Sequence, residues 1–350
     1  NIILLLMNTC FFAKVFKIKA FRKTLKTYFS LFYKKEISTF SRKKQKKNMK
    51  RTPLAFLLAL FFCIVTSCTK TETPEDTNNN TNTETYNNST ANIIFKFDFN
   101  ETQERLNNLG LPAEMPVGHA AQTPNFNSIS AHYIELAPSP FTLLGEGAVL
   151  YKGEETEAGG ETAIDFSKAT LVDEGETFLS IPISSIPTDS YQYLRVSLSY
   201  QNYDIQMRAL GFDIIGTLAS FIGYNTYIED FGIKNDNVSV NDNRRQGFWA
   251  FATDFVPVIV GEAPAGAVTV PNPLFDSSPI PQGSCVVTGP FEQALAITGE
   301  ETEDIIITMS LSINNSFEWI DNNNNGIFEP ADGEMPVDMG VRGLIPIVEN

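Results

Sequence analysis

The sequence predicts an all-β fold, an antiparallel β-sandwich with Asn- and Gly-rich loops and few short helices. Three observations carry this expectation. Short apolar runs recur from residue 93 onward with a period close to two, as half-buried strands require, because successive side chains of a strand point to opposite faces. Gly, Pro, Asn and Asp separate the runs, and many short strands divided by turn residues favour a sandwich. Stretches with helical spacing are scarce.

In chain order, Ile93-Ile94-Phe95-Lys96-Phe97-Asp98-Phe99 alternates apolar and polar positions at its end and reads as the first strand. Glu101 to Leu109 is a helical candidate opened by Asn100, whose side chain suits an N-cap. Strands are then expected at 128–136, 178–183, 191–207, 247–251, 284–288, 305–313 and 343–348. The glycine-spotted stretch 209–223 is open to a strand pair or a short helix.

The N-terminal quarter has a different composition. Residues 1–48 are rich in Lys and Arg and read as translation extended ahead of Met49, or alternatively as a basic arm before a signal anchor. Met49-Lys50-Arg51 is a short basic start, and Pro53 to Val65 is an apolar run of signal-peptide length, so 49–67 is expected to be an export signal. The run ends in Val65-Thr66-Ser67-Cys68, which resembles the lipobox of bacterial lipoproteins processed by signal peptidase II. That resemblance implies cleavage before Cys68, lipid on its thiol, and a lipid-anchored protein of the outer membrane or cell surface. From Thr69 to Asn92 the chain is mostly Thr, Asn and Glu and cannot bury enough apolar surface to offset its ordering entropy, so 68–92 is expected to be a lipidated tether. The folded domain is expected at 93–350.

Charge narrows the partners. Of 26 Lys and Arg, 15 precede Cys68, and of 41 acids only Glu36 does, so the remainder carries 11 basic against 40 acidic groups, a net of −29. Such a body repels nucleic acid and anionic surfaces and attracts cations. Of four cysteines, Cys10 and Cys63 lie in the leader and Cys68 is the anchor, leaving Cys285 alone in the domain, where no internal disulfide can form. On a strand-like run, Cys285 is expected to be a small buried apolar residue.

One segment carries a metal-binding pattern. In Asp321-Asn322-Asn323-Asn324-Asn325-Gly326-Ile327-Phe328-Glu329-Pro330-Ala331-Asp332, oxygen-bearing side chains fall at the first, third, fifth, ninth and twelfth positions. Gly326 stands at the sixth, where the chain turns sharply, and Phe328 at the apolar eighth. This resembles the twelve-residue calcium loop of EF-hand and dockerin-type proteins. Calcium is a hard cation that takes several oxygens, and Asp321, Asn323, Asn325, the Ile327 carbonyl, Glu329 and Asp332 supply them. The strand character of 305–313 and the presence of Pro330 place this loop between strands rather than helices. With few carboxylates, weak affinity suited to extracellular calcium is expected. A plain Asn-Gly turn between two strands is the alternative.

Only His119 and His132 exist, and together they form a copper or zinc pair if the fold unites them. The alternative is one surface and one hydrogen-bonded histidine. Tyr133-Ile134-Glu135-Leu136 and Ile186-Pro187-Thr188-Asp189-Ser190-Tyr191-Gln192-Tyr193-Leu194-Arg195-Val196 give residues 93–200 a resemblance to the methanobactin-associated, MbnP-like copper proteins, and that resemblance implies a secreted β-sandwich and favours copper.

Catalytic signatures are missing: the sequence contains no Gly-x-Ser-x-Gly, His-Glu-x-x-His, Walker loop or Gly-x-Gly-x-x-Gly after a strand. Trp249, Trp319, Tyr200, Tyr203, Tyr224 and Tyr227 suit either the core or a sugar platform, with the core favoured. The expectation is a noncatalytic, metal-binding envelope lipoprotein. A carbohydrate-active hydrolase, a glycan-binding module or a structural envelope component are the alternatives.

Overall fold

A computed structural model describes residues 89–106, 112–209, 211–263 and 285–349. Cys68, the export signal and the tether up to residue 88 lie outside the described residues. Among the described residues the chain is all β, with regular helix limited to single 3-10 turns. The folded part reaches slightly further back than the composition suggests. Ser89 and Ala91 are buried, and Ser89 Oγ donates to Glu301 O at 2.7 Å.

Two sheets make the main sandwich. The first has the order β18 (Arg342–Glu349), β15 (Ile305–Ser312), β1 (Asn92–Asn100), β7 (Thr177–Pro182). Strict alternation in β1 turns Ile93, Phe95, Phe97 and Phe99 inward, and each such buried side chain contributes about 2–3 kcal/mol. The second sheet is organised by β8 (Asp189–Ala209), whose 21 residues pair along one edge with β3 (Asn125–Ala137). Its other edge takes β14 (Cys285–Ile297) against its first half and β9 (Phe212–Phe221) against its second. β12 (Phe248–Thr253), β13 (Ile259–Glu262) and β4 (Ala148–Lys152) complete the seven strands. Leu194, Val196 and Leu198 of β8, with Ile134 and Leu136 of β3, meet the β1 and β15 side chains in the principal core. The turn into β8 is pinned by Tyr191, whose hydroxyl donates to Pro187 O at 2.8 Å.

A second core lies under the far half of β8. Here Tyr200, Phe221 and Phe248 pack against Ile228, Phe231 and Ile233 of β10 (Asn225–Ile233). β10 forms a hairpin with β11 (Asp236–Arg245) and a short sheet with β5 (Glu155–Thr156) and β6 (Ala163–Asp165).

Three local expectations change. The sandwich is antiparallel except that β1 pairs β15 parallel over eight residues and β10 pairs β6 parallel over two. Segments so far apart in sequence have no hairpin connection to impose antiparallel pairing. The helix expected from Glu101 is a run of bends. Asn100 does cap, its Oδ1 accepting from Thr102 N at 2.9 Å and Gln103 N at 2.8 Å, but Leu106 leaves the turn to bridge Pro112, and 107–111 lie outside the described residues. Within the 209–223 stretch, Phe212–Phe221 is strand β9, which pairs antiparallel with β8, and Gly211 before it has φ +78.

Candidate metal centre

The calcium-like segment connects β16 (Phe317–Ile320) to β17 (Pro336–Met339), which pair antiparallel, while the other edge of β16 takes β2 (His119–Gln122). The loop therefore sits between strands. Its base is held by an aromatic cluster in which the Phe328 ring lies 5.2 Å from Phe317 and 5.6 Å from Trp319. Phe328, at the apolar eighth position, ties the loop to the fold. Ile320 N donates to Met335 O at 3.1 Å and closes the loop's neck.

Inside the loop the side-chain oxygens turn inward. Asp321 is buried; its Oδ1 accepts from Asn325 N at 3.2 Å and its Oδ2 from Gly326 N at 2.8 Å. Asn323 Oδ1 accepts from Asn325 N, and Asn325 Oδ1 from Ile327 N at 2.8 Å. The turn needs left-handed backbone at Asn324 (φ 56) and Gly326 (φ 70), residue types that tolerate it. Asn323 Nδ2 and Asn325 Nδ2 both donate to Glu329 Oε2, at 2.8 and 2.7 Å, so the third, fifth and ninth positions converge on one point.

The twelfth position departs from the pattern. Pro330–Asp332 forms a 3-10 turn stopped by Gly333 at φ +88, and this leaves Asp332 on the exposed side. Glu334, two residues on, turns in instead: it is 1 % exposed, with Oε1 accepting from Asn322 N at 3.2 Å and Oε2 from Glu329 N at 2.6 Å. Burial first, and then the neighbouring charges of Asp321 and Glu329, push its carboxyl above the usual range despite those N–H donors. A buried carboxylate beside two others is the electrostatic setting a divalent cation relieves. Asp321, Asn323, Asn325, Glu329, Glu334 and the Ile327 carbonyl carry the oxygen atoms a hard cation takes, although among the described residues no three Asp, Glu, His or Cys side chains stand grouped as a metal site.

The two histidines do not share a site. His119 Nδ1 pairs with Glu318, which also binds Arg105. His132 lies on β3, seven residues beyond its start, so it is on the order of 20 Å along the sheet from that end. β2 lies beyond that same end, because Gln122 exchanges hydrogen bonds with Gln206, past the Asn125–Asp204 pair. The copper or zinc pair expected from the sequence is therefore not formed. β2 and β3 belong to different sheets, and a short sequence separation becomes a long distance.

His132 has its own surroundings. It is 1 % exposed, its Nε2 is 3.3 Å from Glu155 Oε1, and its ring centroid is 5.6 Å from that of Tyr224. Burial pushes the imidazole down to about 4, against the attraction of Glu155 and with the repulsion of Lys152. Tyr224 Oη donates to Glu155 Oε1 at 2.8 Å and Lys152 Nζ to Oε2 at 3.1 Å; these bonds outweigh burial and hold the Glu155 carboxyl below its usual range. On the same strand, Glu135 is fully buried, accepts from Gly145 N at 3.0 Å and Gly147 N at 2.7 Å, and stands 3.8 Å from the Arg195 guanidinium.

Cys285 is buried on β14, and burial pushes its thiol up to about 11, which fits an apolar core residue. Trp319, Tyr200 and Tyr203 are buried, whereas Tyr224, Tyr227 and Trp249 are half-buried. Comparison with protein families, with curated proteins and with solved structures found no match. Sequence reasoning missed Glu334, and the signal for it was present. Pro330 and Gly333 bracket a turn that delays the returning acid by two residues.

Proposed function

We propose that this protein is an exported, lipid-anchored envelope protein that binds calcium in the β16–β17 loop. The observation that carries the reading is the convergence of Asn323, Asn325 and Glu329 on one point, flanked by the buried carboxylates of Asp321 and Glu334. Four backbone N–H groups hold the Asp321 and Glu334 carboxylates in the 321–335 loop above an aromatic base, so less ordering remains when the ion arrives. Three carboxylates and a surface-exposed rim suit an affinity of roughly 0.1–1 mM, the range of extracellular calcium modules. The acidic body favours cation approach, and the Val65–Cys68 lipobox supports the anchor.

Two experiments test this reading. Millimolar calcium should raise the melting temperature of the purified protein over that in a chelator, and Asp321→Ala should abolish the difference; a wild-type melting temperature indifferent to calcium defeats the metal reading. Cys68→Ser should release the protein from membranes with its melting temperature unchanged. Retention of that variant in the membrane fraction defeats the anchor reading.

A further inference from the structure

Asn325-Gly326 is the single Asn-Gly pair in the chain, and both residues are exposed in the β16–β17 loop, where water reaches them. Gly326 has no Cβ to hold its backbone nitrogen away from the Asn325 side chain, so that nitrogen can close a five-membered ring on Asn325 Cγ. Three groups react in such a closure: the Gly326 nitrogen attacks, the Asn325 carbonyl is attacked, and the Asn325 NH2 leaves. Each has a polar partner in this loop.

The Gly326 N–H donates to Asp321 Oδ2 at 2.8 Å, which puts a carboxylate in place to take its proton. Ile327 N donates to Asn325 Oδ1 at 2.8 Å and so stabilises negative charge developing on that oxygen. Asn325 Nδ2 lies 2.7 Å from Glu329 Oε2, a carboxyl that delivers a proton to the leaving nitrogen when it holds one. The backbone of the attacked residue is fixed as well, since Asn325 N donates to Asp321 Oδ1 at 3.2 Å and Asn323 Oδ1 at 3.0 Å. The acids are crowded: burial first, and then the charges of Asp321 and Glu329, raise the Glu334 carboxyl above its usual range. That crowding favours keeping a proton within the group.

We infer that Asn325 is a self-modification site, at which the loop deamidates its own asparagine to aspartate. As the Gly326 nitrogen bonds to Asn325 Cγ, its proton passes to Asp321 and the carbonyl electron pair moves onto Oδ1. The pair returns, the Cγ–Nδ2 bond breaks, and Nδ2 leaves as ammonia with a proton from Glu329. Water carries the proton on Asp321 back to Glu329. A second water opens the ring, its hydroxyl adding to Cγ and its proton going to the Gly326 nitrogen as the Cγ–N bond breaks. The sum is asparagine plus water giving aspartate plus ammonia, with nothing oxidised or reduced. The Ile327 N–H that holds Oδ1 favours opening at Cγ, which keeps the ordinary backbone instead of an isoaspartyl link. The product adds a fourth carboxylate to Asp321, Glu329 and Glu334; only this consequence, stronger calcium binding, rests on the calcium reading.

The test holds the purified protein in chelator at neutral pH beside the same chain unfolded in urea. Mass spectrometry of peptides spanning 321–335 follows the gain of one mass unit as NH2 becomes OH. The folded chain should convert Asn325 about a hundredfold faster than the unfolded one, the lower end of what a positioned acid or base contributes. Asp321→Asn and Glu329→Gln should each slow the folded chain about tenfold or more, and fragmentation should show aspartate as the main product. Asn325→Asp should bind calcium about tenfold more tightly than unconverted protein. A folded rate no higher than the unfolded one overturns the inference whatever the variants do, and so does the wild-type rate in both variants or an isoaspartyl main product. Conversion without calcium binding defeats the calcium reading alone, whereas calcium binding without conversion defeats this inference alone.

Discussion

Glu135 and Glu334 are both carboxylates with almost no solvent contact, and each accepts two backbone N–H bonds, yet their surroundings differ in one respect. Glu135 faces the Arg195 guanidinium at 3.8 Å and also accepts from Tyr133 Oη at 3.3 Å. Glu334 instead faces two further carboxylates, Asp321 and Glu329. Burying a charge is tolerable where an opposite charge and hydrogen bonds compensate it. Glu135 is a completed structural pair that ties the 138–147 loop to the sheet, since Arg195 Nη2 also donates to Thr142 O at 2.7 Å. In the calcium reading proposed above, Glu334 completes its charge balance with a cation from solution.

The largest expected effect breaks the completed pair. Glu135→Gln keeps the shape but leaves Arg195 buried with an uncompensated charge, and should cost about 3–5 kcal/mol in urea unfolding, with or without calcium. A loss under about 1 kcal/mol would show that the pair is not the support described.

Next is an acid effect confined to the sheet. The folded protein holds His132 at about 4 against an unfolded value near 6.5, so its neutral form is favoured by folding. Stability from this group is complete above pH 6.5 and is lost as pH falls toward 4, by roughly 3 kcal/mol at most. Glu155, held below its usual range, adds its own loss only at lower pH. Unfolding midpoints measured between pH 7 and 5 should therefore fall for the wild type and stay flatter for His132→Gln; parallel profiles would remove His132 as the cause.

The smaller effects sharpen the loop. Glu334→Gln removes one of three crowded carboxylates, and should raise stability by about 1 kcal/mol in chelator while weakening calcium binding, an opposite pair of signs that a merely structural carboxylate does not give. Asp332→Asn, on the exposed side of the 3-10 turn, should leave calcium affinity unchanged. A large loss there would restore the twelfth position as the ligand in place of Glu334.

Legibility in the sequence followed the range of the interaction that decides each feature. The alternation of Ile93 to Phe99 announced β1 because burial on one face is a local pattern, but its parallel partner, over 200 residues away, left no local trace. The hairpin of β10 and β11 was hidden because Asp236–Arg245 is mostly exposed and has only Val238 and Val240 as apolar residues, packed against the second core, so its pairing with β10 does most to make it a strand. In the loop, Asp321, Asn323, Asn325, Gly326, Phe328 and Glu329 were legible from spacing alone, since a tight turn makes sequence distance and spatial distance agree. Past Pro330 that agreement ended, and Glu334 rather than Asp332 turns inward. The same reasoning explains the histidines, where extended strands carried His119 and His132 apart.

The most direct test of the calcium reading is equilibrium dialysis of the purified protein against millimolar calcium, with Asp321→Ala dialysed in parallel. One ion per chain in the wild type and none in the variant is the predicted result. No bound calcium in the wild type, or equal calcium in both, contradicts it.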